Sequence, residues 1–257
     1  MAGQARAGKA FEYALLTKSY SILSLSHTVN IIQNNSYFIA QNAFHSFPEA
    51  TQNKYMIAAE KGFYHILTLE PRLNHPINNT DNLILQLAQD SEGIIGDVRD
   101  VLFIRLSQDW EIGISAKNNH EAVKHSRLSG SIDFGNLWFG INCTENYWNT
   151  IKPIFEQLKE YKNNGILWRN LQNKITTIYI PLLNAFKNEL TLQNTNHPGI
   201  IPARLLIYLL GNKDFYKVIK TRKHTSVFGF NLHGSLNKSA ESIHPYSYTK
   251  NSITNNY

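Results

Sequence analysis

The 257-residue chain has one cysteine, two methionines and no long apolar run. The lone cysteine, Cys143, excludes a disulfide within the chain and a zinc site built from cysteines. No stretch reaches the roughly 18 consecutive apolar residues that a membrane helix needs, and the first residues lack the apolar core of a secretory signal. We therefore expect a cytoplasmic protein without a membrane segment.

Two enzyme classes are disfavoured by the motifs that the sequence lacks. No G-x-x-x-x-G-K-[S/T] sequence occurs, which excludes a P-loop ATPase. No Gly-rich cofactor loop follows a strand and no Pro-Cys pair is present, which argues against a DNA methyltransferase.

The composition is that of a globular protein, with 42% hydrophobic and 17% charged residues. The net charge of +6 and the pI near 9.2 favour a polyanionic partner, although an ordinary basic protein has the same balance. The length suffices for one large domain or two small ones.

Hydrophobic periodicity and turn signals predict alternating helices and strands. The predicted elements are helices at 8–24 and 53–71, strands at 100–106 and 110–117, a short helix at 118–129, a strand at 137–143, helices at 147–162, 167–192 and 201–220, and a strand with a turn at 225–237. This order predicts an α/β fold with a mostly helical C-terminal half.

The strands at 100–106 and 110–117 are expected to form a hairpin. A two-residue turn at Gln108-Asp109 places Leu102 opposite Ser115 and Asp100 opposite Lys117 at the open end. A one-residue slip would bring Asp97 to that face instead, so Asp97 remains an alternative to Asp100. A carboxylate beside a lysine suits Mg²⁺-dependent phosphodiester hydrolysis, in which the carboxylate holds the metal and the lysine orients the attacking water. A plain cross-strand ion pair is the competing interpretation.

The residues that follow Lys117 in "WEIGISAKNNHEAVKHSRLS" are dense in hydrogen-bonding side chains. If they form a helix, the basic side chains at i, i+4 and i+7 share one face and can contact phosphates or guanines. A solvated helix face is the alternative, and one of the two asparagines can cap the helix. The candidate DNA-binding residues are Asn118, Asn119, His120, Lys124, His125 and Arg127.

Asp100, the apolar strand after it and Ser115-Ala116-Lys117 resemble the core of the PD-(D/E)XK nucleases. Ser115 stands where the usual middle acid would be, and the resemblance implies that an acid from a helix replaces it. Glu121 is the first candidate for this acid and Glu111 the second. Glu12, in "GKAFEYALL", matches the first-helix glutamate that often lies near the metals in this superfamily.

Several further sequence blocks resemble one particular family within this superfamily. "GKAFEYALL", "GDVRDVLFIR", "IPARLLIYLLGNKDFYKV" and "FNLHGSLN", together with the block at 110–129, are similar to the HaeIII-type type II restriction endonucleases. The resemblance implies a central mixed sheet flanked by helices, Mg²⁺ as cofactor and cleavage of duplex DNA at GGCC that leaves 5′-phosphate ends. A separate cognate DNA methyltransferase would protect the host. Because the site is a palindrome, we expect a homodimer on DNA.

We expect a single nuclease domain over 1–237, with a core over about 8–165 and a helical DNA-binding extension over about 166–237, and a disordered tail over 238–257. The catalytic set is then Asp100, Ser115, Lys117 and Glu121, and the metal ligands come from Asp100, Glu121, Glu12 and Asp97. Two other functions remain open: a structure-specific repair or recombination nuclease of the same superfamily, and an inactive DNA-binding remnant, since the polar segment after "FNLHGSLN" departs from the family pattern.

Overall fold

The computed structural model describes residues 3–74, 81–89, 97–119 and 128–237. These residues form two compact units that alternate along the chain. The first unit contains 3–74, 81–88, 99–119 and 213–237, and the second contains 89, 97–98 and 128–212. The domain limits expected from the sequence stay a prediction.

The first unit holds three helices and six strands. They are α1 (Gly3–Leu23), β1 (Thr28–Ile32), α2 (Asn35–His45), α3 (Glu49–Leu69), β2 (Asn82–Leu87), β3 (Val101–Arg105), β4 (Trp110–Asn118), β5 (Phe215–Lys220) and β6 (Thr225–Phe230). The helices predicted at 8–24 and 53–71 are confirmed as parts of α1 and α3, and α3 ends just before Pro71, as expected.

The strands form one mixed sheet in the order β1-β2-β3-β4-β5-β6. The β1–β2 and β4–β5 pairs are parallel, and the other neighbours are antiparallel. Alternate residues of the strands, such as Leu85, Phe103 and Ile114, are buried in one core with the apolar residues of α1, α2 and α3. Phe63 of α3 stacks on Phe103 with 5.5 Å between the ring centroids. The α/β class with a mixed sheet flanked by helices is therefore confirmed.

The β3–β4 hairpin exists, but its predicted register is wrong by two residues. Arg105 pairs with Trp110, and Leu102 lies opposite Gly113 rather than Ser115. The connection is a 3₁₀ turn over Leu106–Gln108 followed by Asp109 in the left-handed conformation, with φ 47°. Because the difference is an even number of residues, every side chain keeps the face that was predicted for it.

The second unit is helical, with α4 (Phe134–Phe139), α5 (Glu145–Asn163), α6 (Ile180–Asn196) and α7 (Ile200–Leu210). Its core gathers Phe134, Trp138 and Tyr147 with residues of α6 and α7. The strand predicted at 137–143 is wrong, since these residues begin inside α4. The Asp133 side chain caps this helix by accepting from the Asn136 N–H at 2.9 Å.

Residues 215–220 form β5 and not the predicted end of a helix, because Gly211 ends α7 and "FYKVIK" pairs between β4 and β6. The helix at 147–162 and the strand at 225–230 are confirmed. Most of the helix predicted at 118–129 and all of the tail 238–257 lie outside the described residues. None of the described helices has both the length and the apolar character of a membrane span.

Candidate active site

Asp100 directly precedes β3 and is fixed at the open end of the hairpin. Its backbone N–H donates to the Ile114 carbonyl at 2.8 Å, which extends the β3–β4 ladder by one residue. Three donors of β4 meet its Oδ2 atom: the Ala116 N–H at 2.7 Å, the Lys117 ammonium at 3.2 Å and, more weakly, the Ser115 hydroxyl at 3.4 Å. Within the described part of the chain, the Oδ1 atom of Asp100 accepts no hydrogen bond.

Glu12 is brought to the same place by α1. Its carboxylate lies 3.2 Å from the Lys9 ammonium, and its side chain is only 10% exposed. Burial raises the pKa of Glu12 to about 7, and the negative charge of Asp100 contributes to the rise, while Lys9 and Lys117 oppose it. The Glu12 carboxylate therefore interacts electrostatically with both Asp100 and Lys117, and we assign the three residues to one site.

This arrangement joins two carboxylates and a lysine. Carboxylate oxygens are the ligands that Mg²⁺ prefers, and one or two of them with several waters are a usual set for this ion. Among the residues that the structure describes, no group of three or more His, Cys, Asp or Glu side chains is placed to hold a metal. Asp100 and Glu12 supply two carboxylates, which is the kind of donor set that a hydrated Mg²⁺ takes.

Ser115 and Asp97 have different surroundings. Ser115 is fully buried, and its hydroxyl touches Asp100, so it supports the carboxylate without adding a charge. Asp97 belongs to the second unit, in an irregular segment before β3. Of the two candidate aspartates, Asp100 is the one that the structure pairs with Lys117.

Glu111, the second candidate for the displaced acid, is held elsewhere. Its Oε1 atom lies 3.2 Å from the Arg99 guanidinium and 3.0 Å from the Lys213 ammonium. Although burial raises its pKa, these two cations lower the pKa of Glu111 below its ordinary value. Glu111 lies opposite Ile104, four residues along β3 from Asp100, which is about 13 Å along an extended strand. It therefore cannot share a metal ion with Asp100.

The other predicted side chains lie in a segment that the structure does not describe, and their roles stay predictions. They are His120, Glu121, Lys124, His125 and Arg127.

Sequence reasoning missed two residues beside this site, Tyr55 and Lys220. The Lys220 ammonium lies 5.0 Å from the centre of the Tyr55 ring and 3.5 Å from the Oδ1 atom of Asn118, and Tyr55 also hydrogen-bonds Asn118. The Asn119 N–H donates to the Lys220 carbonyl at 2.7 Å, and Asn119 is left-handed, with φ 55°. The apolar alternation in "FYKVIK" was the available signal, because it would have placed Lys220 at a strand end.

Comparison with known proteins identifies the family of the chain. The HaeIII restriction endonuclease family matches residues 8–254. The Type II restriction enzyme HaeIII of Haemophilus aegyptius is 40% identical over 233 residues, which cover 90% of this chain and 72% of the relative. No solved structure matches the chain significantly. The match over most of its length shows that this chain belongs to the HaeIII restriction endonuclease family.

Proposed function

We propose that the protein is a type II restriction endonuclease that cuts duplex DNA at a short palindrome, expected to be GGCC, by Mg²⁺-dependent attack of water on the phosphodiester. The observation that carries this proposal is the Asp100–Lys117 contact at the open end of the hairpin, with Glu12 beside it. Family membership supports the same chemistry.

Asp100 and Glu12 would hold the Mg²⁺ ion. Three donors fix the Oδ2 atom of Asp100, so its Oδ1 atom can face the cation. When bound, the ion would acidify a water molecule and offset the charge that grows on the phosphate and the leaving oxygen. Burial and the charge of Asp100 both raise the pKa of Glu12, and a cation held by these carboxylates would oppose that rise.

Lys117 would orient the attacking water and stabilise its deprotonated form. Its ammonium is held 3.2 Å from Asp100 and is only 17% exposed, so little rotamer freedom remains to be lost on binding. Glu121 is the acid we propose to complete the site in place of Ser115, and Asp97 stays the alternative to Asp100 as the main metal ligand. The proposed DNA contacts are Asn118, Asn119, His120, Lys124, His125 and Arg127. A separate methyltransferase would protect the same sequence.

A digest of unmethylated plasmid in Mg²⁺ tests the proposal, with three variants compared with the wild type. We expect discrete fragments from the wild type, and a loss of roughly 10²–10⁴-fold in rate for Asp100→Asn and for Lys117→Gln, because each removes a group at the reacting phosphate. Duplex binding in Ca²⁺ should stay within about threefold. Asp97→Asn tests the alternative ligand: it should cleave like the wild type if Asp100, and not Asp97, holds the ion.

Other outcomes separate the alternatives. Cuts that depend on branches or nicks, whatever the sequence, would favour a repair nuclease. Binding without any cleavage would indicate an inactive remnant. Wild-type turnover by Asp100→Asn together with an inactive Asp97→Asn would transfer the metal-binding role to Asp97.

A further inference from the structure

A cluster of three basic side chains surrounds Tyr55 in the first unit. The Lys220 ammonium lies 5.0 Å from the centre of the Tyr55 ring. Lys54 directly precedes Tyr55 on α3, and its charge interacts with that of Lys220. Arg6 of α1 lies over the Phe47 ring at 4.9 Å, and its charge acts on the Tyr55 hydroxyl. We call Arg6, Lys54 and Lys220 the basic cluster.

The basic cluster has no acidic partner among the described residues. Among the described residues, no carboxylate lies within ion-pair distance of any of its three members. By contrast, Lys18 pairs with Glu60 at 3.7 Å, and Lys213 pairs with Glu111 at 3.0 Å.

Lys220 also differs from an ordinary surface lysine. It is half-buried, and within the described part of the chain its ammonium meets the Asn118 side-chain oxygen, at 3.5 Å, and the face of Tyr55. Burial lowers the pKa of Lys220, and the nearby Lys54 lowers it further. A partly desolvated cation beside a like charge is unfavourable until an anion joins it.

The position of the cluster suggests which anion this is. Strands β4 and β5 are parallel, Lys117 lies opposite Ile219, and Asn118 lies opposite Lys220. Lys220 is therefore only one residue along the sheet from the lysine of the candidate active site. Consecutive strand residues point to opposite faces, so the Lys117 and Lys220 side chains lie at the same end of the sheet but on opposite faces. Phosphates follow one another at about 3.4 Å of helix axis along each DNA strand, so one is available beside the cleaved phosphate.

We propose that Lys220, Lys54 and Arg6 bind a backbone phosphate of the DNA next to the phosphate that is cleaved, and that Asn118 and Tyr55 position the Lys220 ammonium for this contact. The inference rests on the proposed function, since it names a contact to the same substrate. A phosphate contact contributes affinity without sequence information. Asn118 would then be a positioning residue and would not read a base.

Binding of duplex DNA in Ca²⁺ over a salt series tests this, on a GGCC duplex and on a scrambled one. Lys220→Gln and Lys54→Gln should each weaken binding to both duplexes alike, and each should reduce the slope of log affinity against log salt by about one unit. Lys220→Arg should keep the slope. Lys213→Gln is the matched control, because Lys213 precedes the other end of β5 and has a carboxylate partner; its slope should equal that of the wild type.

The outcomes distinguish this inference from the proposed function. Wild-type slopes for both glutamine variants, with a wild type that binds and cuts DNA, would overturn the inference alone. A loss confined to the GGCC duplex would also overturn it, in favour of a base contact. A wild type that binds no duplex would overturn both. Lys54 is exposed on α3, so Lys54→Gln keeps the fold and decides the matter even if Lys220→Gln does not fold, as thermal melting would show.

Discussion

Glu12 is a nearly buried acid of α1 that lies close to a second acid, Asp100. Its side chain is nearly buried, and the carboxylate of Asp100 acts on it as a like charge. Lys9, at 3.2 Å, compensates only in part, because the pKa of Glu12 is still raised to about 7. A further cation beside both acids would favour their ionised forms.

If Glu12 is a metal ligand, Glu12→Gln should raise the Mg²⁺ concentration needed for half-maximal cleavage by at least about tenfold, because the amide oxygen carries no charge. Titration calorimetry with Mg²⁺ should show the same loss of affinity. Glu60→Gln is the control, since Glu60 lies on the exposed side of α3, 3.7 Å from Lys18. Equal Mg²⁺ dependence in both variants would remove Glu12 from the metal site.

The contact between Asp100 and Lys117 could be predicted from the sequence although the register could not. Side chains alternate between the two faces of a strand, so a shift of the register by two residues changes no side chain's face. Asp100 and Lys117 therefore stay on one face despite the error. The exact pairing depends on the left-handed Asp109, and nothing in the sequence distinguishes this turn from a two-residue one. The approach of Glu12 depends on packing of α1, so only the family resemblance indicated it.

At the scale of elements, Asp214 fastens the segment after β6 to the start of β5. Its Oδ1 atom accepts from the N–H groups of Leu232 and His233, and its Oδ2 atom accepts from the Ser235 N–H and hydroxyl at 2.5 Å. Burial alone would raise the pKa of Asp214, but the hydrogen bonds from Ser235, His233 and Leu232 outweigh it and lower that pKa. "FNLHGSLN" therefore forms a turn closed by this carboxylate.

A depressed pKa in the folded state means that Asp214 stabilises the fold above its ordinary pKa near 3.8, and that this contribution is lost as the pH falls through the lower, folded-state value. Asp214→Asn should reduce the free energy of unfolding at pH 7 by about 1–3 kcal/mol, because one amide end cannot accept hydrogen bonds. The difference from the wild type should shrink below pH 4. Urea unfolding across a pH series measures it.

Asp109→Asn is the matched control, because asparagine also adopts the left-handed conformation that Asp109 has in an exposed turn. Its stability should differ from that of the wild type by only a few tenths of a kcal/mol. A difference between wild type and Asp214→Asn that persists unchanged at pH 3 would show that the carboxylate charge is not the cause.

The elements with clear periodicity, α1, α3 and α5, could be predicted, whereas those defined by tertiary contacts could not. "LWFG" has the aromatic content of a strand, yet the Asp133 cap and the left-handed Gly140 close it as a short helix. "FYKVIK" is a strand because β4 and β6 lie on either side of it. Strands β1 and β2, at the other end of the sheet, were missed entirely.

For the whole molecule, the expected palindrome leads to a prediction about assembly. Two identical chains related by a two-fold axis can each contact one half of a symmetric site. We therefore expect sedimentation of the protein with a GGCC duplex in Ca²⁺ to give a complex containing two 29.4-kDa chains per duplex. A scrambled duplex serves as the control. One chain per specific duplex at saturation would contradict this expectation.

The parallel pairing of β4 with β5 has a consequence for synthesis. Asn118 and its partner Lys220 are 102 residues apart, and the whole of α4 to α7 is translated between them. At about 5–20 residues per second, on the order of 5–20 s pass between the appearance of the two strands. During that interval β4, which carries Lys117, is an open edge of the nascent sheet. The β5 side of the candidate active site therefore forms only after α4 to α7 have been synthesised, and a nascent chain that stops before β5 lacks it.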